Sequence, residues 1–271
     1  MQITYIKPAG HWLRLDLGEL WAYRELIYFL TWRDIKIRYR QTLIGVLWVV
    51  LQPVLTTAIF TVVFSNIAHF NSPIVSYPLF VFSGLLIWLF INNSVVFASN
   101  SLVGSSELVT KVYFPRLVLP FASMIAGLVD ISIGFVILLA LVIIFGVPLS
   151  VTVLIAPLFI LIAAFLTLGI GTLCSALNVR FRDVKFALPF ALQIWMFASP
   201  IFYPLDILSE RARWAISFNP LTGILSGFRS ALFGLDFDWA AIGVSAAITL
   251  GVVLFALFIF KRMEDDFADL I

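Results

Sequence analysis

Apolar residues run along this chain in long blocks rather than in a surface-helix or strand alternation. After Arg40 no Asp, Glu, Lys or Arg occurs before Glu107. Uncharged apolar runs of about 18 or more residues read as membrane spans. Six spans are predicted, at roughly 43–66, 78–100, 117–145, 152–177, 187–203 and 239–260. The first, as a helix, is about 36 Å long, enough to cross a ~30 Å hydrocarbon core with some tilt. Pro53 is expected to kink it, because proline removes a backbone donor and crowds the preceding turn. Pro189 and Pro200 bracket the short fifth span. The predicted fold is an all-α integral membrane protein.

Two segments outside the spans are helical by pattern. In residues 17–31, Leu20, Tyr23, Ile27 and Leu30 share one face while Arg24 and Glu25 lie away from it, which predicts an amphipathic helix in the membrane interface. Arg33, Lys36 and Arg40 continue it as a cationic face. In residues 204–238, Ser209 is a candidate cap for a short helix. Asn219-Pro220 reads as the cap and first residue of a second helix, closed by Gly234. At about 14 residues the second helix is too short to span, so the pair is expected to be a re-entrant hairpin on the outer side. Its GILSG matches the small-residue helix-packing spacing. The chain thus divides into an N-terminal segment (1–42), a transmembrane domain (43–260) and a tail (261–271).

Composition agrees. The chain is 62% hydrophobic and 12% charged, against roughly 25% charged for soluble domains. The net charge of +2 says little, but its distribution sets an orientation. With the N-terminus inside, the inner segments hold Lys7, Arg14, Arg24, Arg33, Lys36, Arg38, Arg40, Lys111, Arg116, Arg180, Arg182, Lys185, Lys261 and Arg262. The outer segments hold Arg211, Arg213 and Arg229. The positive-inside rule places both termini in the cytoplasm. The first residues contain no apolar core of signal-peptide type, and no cleavage is expected.

Candidate chemistry is sparse. There is no G-x-x-x-x-G-K-[ST], so this chain is not expected to bind ATP through a P-loop. His11 and His69 fall outside the spans on opposite sides, and no cluster suits a metal. Cys174 is the lone cysteine, in an apolar run, and reads as packing. No facing carboxylates suggest an enzyme. Asp130 is the one acidic or basic residue well inside a span, as a helix-packing partner or part of a substrate path. Near the outer leaflet, Trp195, Phe202 and Tyr203 suit either an interfacial belt or stacking against sugar rings. The basic cluster Arg33, Lys36, Arg38 and Arg40 anchors the first span and attracts anionic lipid. SSELVTKVYFPR and NVRFRDVK are short charged inner loops suited to docking a cytoplasmic partner.

RYRQTLIGVLWVVLQP, NSLVGSSELVTKVYFPRLVLP, LNVRFRDVKFALPFALQIWMFASPIFYP, FNPLTGI and FKRMEDDFADLI, in that order, resemble the permease subunits of type-2 ABC exporters. The likeness is to the branch that exports polysaccharides, including lipid-linked O-antigen, in the bacterial inner membrane. It implies a channel between two copies of the chain, with two separate cytoplasmic ATPase subunits that bind ATP and Mg. It assigns Glu107, Lys111 and Arg116 to a main coupling helix and Arg180, Arg182 and Asp183 to a second. It makes Arg33, Lys36, Arg38 and Arg40 a gate that draws in a lipid headgroup, and Asp130, Trp195, Phe202 and Tyr203 channel candidates. No cofactor is expected on this chain, and no nucleic-acid partner. Membrane lipid is the remaining contact. The alternatives are a related permease for teichoic acid, capsular polymer, lipid or drug, and a stand-alone ion-coupled carrier.

Overall fold

Helix α4 (Tyr77–Ser101) is the post around which the chain is built. Most of its side chains are buried, from Leu79 and Val81 at one end to Ala98 and Ser101 at the other. This is a computed structural model, and it describes residues 17–39, 47–63, 75–148 and 150–270. His11, Arg40, His69 and both ends of the first expected span lie outside the described residues.

Before the post come α1 (Leu17–Ala22), α2 (Arg24–Tyr39) and α3 (Leu47–Thr61). After it come α5 (Ser106–Lys111), α6 (Val118–Ile144), α7 (Ala156–Arg180), α8 (Val184–Phe197), α9 (Glu210–Ser217), α10 (Pro220–Phe233), α11 (Trp239–Met263) and α12 (Phe267–Leu270). No strand occurs among the described residues. Four helical stretches, Tyr77–Ser101, Val118–Ile144, Val151–Arg180 and Trp239–Asp266, are long and apolar enough to cross a membrane. Leu47–Thr61 and Val184–Phe197 are shorter apolar helices.

Small residues let α6 and α7 approach the post. A Cβ on Gly127 would stand 1.9 Å from Ser94 Oγ, and one on Gly171 would stand 2.7 Å from Ala98 Cβ. Between apolar helices with no water to expel, such close backbone packing supplies the dispersion contacts that hold the pair. Pro53 lies inside α3 and is buried, so the residue expected to kink the helix is also a packing residue.

The expected fifth span shifts. Its helix begins at Val184 and stops at Phe197, six residues before the expected end. The chain then turns through Ala198–Tyr203, where Pro200 disfavours helical backbone at Ser199 and the Ser199 hydroxyl bonds Trp195 O at 2.7 Å.

The N-terminal helix extends beyond the expected segment, to Tyr39. Leu20, Tyr23 and Ile27 are half-buried and Leu30 is buried, so the apolar face is the one read from the sequence. Yet α2 runs beside α6 in the same direction. Thr31 Oγ1 donates to Ala122 O at 3.4 Å, Ser123 Oγ donates to Asp34 at 2.9 Å, and Arg38 reaches Asp130. Asp130 is about 18 Å along α6 from its first residue. From Thr31 to Arg38 the helix follows α6, because Asp34 and Arg38 have polar partners along that face.

Candidate functional site

Two loops and the tail gather at one end. Asn178 Nδ2 donates to Ser99 O at 2.9 Å, which brings the last turns of α7 and α4 together. The α4–α6 connection carrying α5 and the 181–183 turn therefore emerge side by side. Glu107 and Lys111 face each other at 4.0 Å, but both are largely exposed, so the pair adds little stability and leaves both charges available. Arg180, Arg182 and Asp183 are exposed as well. Tyr113 at 78% and Phe186 at 76% exposure stand among these charges, giving the end a mixed apolar and charged surface.

Arg116 behaves differently from its neighbours. Its backbone N–H donates to Glu264 Oε1 at 3.2 Å, and its guanidinium donates to the Glu264 carbonyl. It is tied to the chain's own tail rather than presented outward.

The three described basic residues of the N-terminal cluster do not share one environment. Arg33 pairs with Asp34 at 3.0 Å and donates to Ser105 Oγ at 3.4 Å. Lys36 is exposed, 5.4 Å from the Trp32 ring. Arg38 turns inward to Asp130 at 2.5 Å, with 7% of its side chain exposed, and lies over the Phe97 ring. Tyr39 donates to the other Asp130 oxygen. Burial, with the carboxylate adding to it, pushes the Tyr39 phenol above its usual range, so it remains a neutral donor. Arg40 is outside the described residues.

Asp130 also lines a cavity of about 50 Å³ between α3, α4 and α6, with Gln52, Asn93 and Ser94. The Ser94 hydroxyl is buried and has no protein partner. The space suits water bridging Asp130, Asn93 and Ser94. It is far below the ~300–1,000 Å³ of small-molecule pockets.

At the opposite end, the three aromatic candidates are packed. Phe202 is buried and stacks on Phe60 with centroids 3.8 Å apart. Trp195 is half-buried and donates its indole N–H to Asn219 Oδ1 at 3.0 Å. Tyr203 reaches Phe197 O at 3.4 Å. Asn219 caps α10 through Leu221 N–H at 3.0 Å and ties the cap to Ser199 Oγ at 2.9 Å.

Arg229, in the segment that the sequence places outside, is buried. It donates to the carbonyls of Phe80, Pro200 and Ile201 at 3.1, 2.8 and 2.9 Å, and covers the Phe80 ring at 3.6 Å. No clue to this role lay in its spacing. The Gly84 that makes room for it was equally silent: a Cβ there would meet the guanidinium at 2.6 Å.

Residues 25–233, most of the chain, match the family described as ABC-2 type transporter. The chain belongs to that family. Among its relatives is an "O-antigen export system permease protein RfbA" of Myxococcus xanthus, 28% identical over 93% of this chain and 97% of that protein. A protein of the same name from Klebsiella pneumoniae is 25% identical over 96% and 98%. The "Polysialic acid transport protein KpsM" of Escherichia coli is 26% identical over 86% and 91%. The ABC-2 match ends with the last residue of α10, so of the Arg116–Glu264 pair only Arg116 lies within it.

Proposed function

We propose that this chain is the channel-forming permease subunit of an ATP-driven exporter that moves a lipid-linked polysaccharide of the O-antigen type across the bacterial inner membrane. The observation that carries this reading is the similarity over 93% of the chain to a protein named as an O-antigen export permease. The exposed loops at one end support it by offering a surface on which a separate ATPase could act.

In this reading α3 and α8 complete six spans with the four longer helical stretches, and α9 with α10 form the outer re-entrant hairpin. The end bearing α5 is cytoplasmic, as the Lys and Arg distribution requires. Two copies enclose the channel. ATP and Mg belong to the partner ATPase, and no cofactor belongs to this chain. Glu107, Lys111, Arg180, Arg182 and Asp183 form the docking surface, and Arg116 positions it. Arg33, Lys36, Arg38 and Arg40 make up the gate. Lys36 stands ready for an anionic headgroup, while Arg38 holds the helix to Asp130. Trp195, Phe202 and Tyr203 shape the outer channel wall by packing.

The similarity to a polysialic acid transport protein favours one second reading, a capsular acidic polymer as cargo. An ion-coupled carrier has less support, since Asp130, the acid placed to carry a proton, is engaged by Arg38 and Tyr39.

Co-expression with an adjacent ATPase gene, purification, and ATP turnover with and without lipid-linked glycan test the proposal. A complex whose turnover responds to neutral O-antigen-type glycan supports it. Response only to an acidic polymer selects the second reading. Transport that follows an imposed ion gradient without an ATPase overturns both.

A further inference from the structure

The tail is built into the inner end of the bundle. After α11 the chain turns at Glu264 and inserts Phe267, which has no exposed surface, into a cluster with Leu102, Val109, Phe114, Leu117 and Phe260. The Phe267 ring meets Phe260 edge-on at 5.2 Å. Glu264 accepts from the Arg116 backbone N–H through Oε1 and from Lys261 at 2.9 Å through Oε2, while its own carbonyl accepts from the Arg116 guanidinium.

The helix that this cluster supports has little hold of its own. The helix α5 has six residues, and Val109 is its one buried side chain. A helix that short is unstable in isolation, so its position is set by what it packs on. The chain that follows is extended at Val112, buries Phe114 in the same cluster, and is held at Arg116, where Glu264 grips both backbone and side chain.

We infer that residues 264–267 are a strut that couples α5 to α11, with Glu264 and Phe267 as its positioning residues. Force delivered to α5 passes through Val109 and Arg116 into the end of a helix running the length of the bundle. The coupling role rests on the exporter reading above; the mechanical role does not. Arg116 accordingly belongs to the strut and not to the partner-binding surface.

Two measurements test it on the full chain with Glu264→Ala, Glu264→Gln, Phe267→Ala and Phe267→Leu. The first is amide exchange in lipid nanodiscs without any partner. Glu264→Ala should speed exchange across residues 106–118 by about tenfold or more, with α4 and α7 unchanged, because it removes the carboxylate that accepts from the Arg116 N–H and leaves only the carbonyl–guanidinium bond and the Phe267 packing to hold the segment. Glu264→Gln keeps an acceptor for the Arg116 N–H and should stay near the parent. Unchanged exchange in Glu264→Ala overturns the strut. That variant removes no core volume, so it decides the matter even where Phe267→Ala fails to insert.

The second is glycan exported per ATP hydrolysed in the reconstituted complex. Glu264→Ala and Phe267→Ala should hydrolyse ATP but export several-fold less per turnover, with Phe267→Leu and Glu264→Gln restoring the ratio. Faster exchange with an unchanged ratio overturns the coupling role. A parent chain that transports without ATP overturns the exporter reading and with it the coupling role, while the exchange data still judge the strut.

Discussion

Arg38 and Asp130 lie 92 positions apart and meet at 2.5 Å, on two helices that run in the same direction. Their side chains are 7% and 18% exposed, so the pair is largely withdrawn from solvent. Removing one charge leaves the other buried without compensation, which typically costs about 3–5 kcal/mol. Asp130→Asn is therefore expected to lower the unfolding midpoint sharply in detergent or nanodiscs. The triple change Arg38→Met, Tyr39→Phe and Asp130→Leu, which removes both charges and the phenol that donates to Asp130, should recover much of that loss. Single and triple variants falling equally would count against a coupled pair.

Asn219 does four things at once, and this predicts an asymmetry. It caps α10, accepts from the Trp195 indole, and donates to Ala198 O and Ser199 Oγ. Asn219→Asp keeps the cap and the indole bond but loses both donations. Asn219→Ala loses all four, and should cost about 2 kcal/mol or more from the cap and the orphaned partners. Trp195 fluorescence should shift in Asn219→Ala and stay near the parent in Asn219→Asp.

Arg229 is a buried cation held by carbonyl oxygens and an aromatic face instead of by an acid. A planar fork can serve three carbonyls while stacking on Phe80, and an ammonium cannot reproduce that geometry. Arg229→Lys should therefore destabilise by roughly 2–3 kcal/mol, since charged hydrogen bonds contribute ~1.5–3 kcal/mol each. Gly84→Ala should act in the same direction by pushing the guanidinium away. If Arg229→Lys melts with the parent, the fork geometry is not what matters.

These cases show why some of the structure was legible beforehand and some was not. Asn219-Pro220 and Gly234 could be read because capping is local chemistry, and the helix they bound is Pro220–Phe233. The apolar face through Leu20, Tyr23, Ile27 and Leu30 was legible because burial follows a helical period. The partner of Asp130 was not, because no local pattern links it to a residue so far back in the chain. The burial of Arg229 was not legible because a positive-inside count says which segment holds an arginine and not what packs around it. Phe202 read as a belt or sugar-stacking residue, since nothing in its neighbourhood announces its stacking on Phe60.

The GILSG spacing in α10 joins helices of this same chain. A Cβ on Gly223 would stand 2.2 Å from the Ala241 carbonyl oxygen, and one on Gly227 would stand 2.1 Å from the Phe159 ring. The first clash is with the hydrogen-bonded backbone of α11, the second with the buried Phe159 ring, which is held by packing alone. Gly223→Ala should thus cost more than Gly227→Ala, within the ~1–3 kcal/mol usual for overpacking or above it. Equal midpoints for the two variants would show that α11 shifts as readily as the ring.

Lys111, Tyr113 and Arg182 are exposed, on the two connections that emerge at the same end of the bundle. Surface substitutions away from caps and buried contacts usually change stability by no more than about 0.5 kcal/mol. Tyr113→Ala and Arg182→Glu should accordingly leave the unfolding midpoint of the isolated permease unchanged. If this end receives the ATPase, the same variants should weaken its binding by about tenfold or more, as loss of an aromatic or arginine anchor does at an interface. Co-purification yield and titration in nanodiscs separate the two effects. Retained affinity in both variants would move the docking surface elsewhere, whereas lost affinity with an unchanged midpoint identifies these side chains as contacts instead of supports.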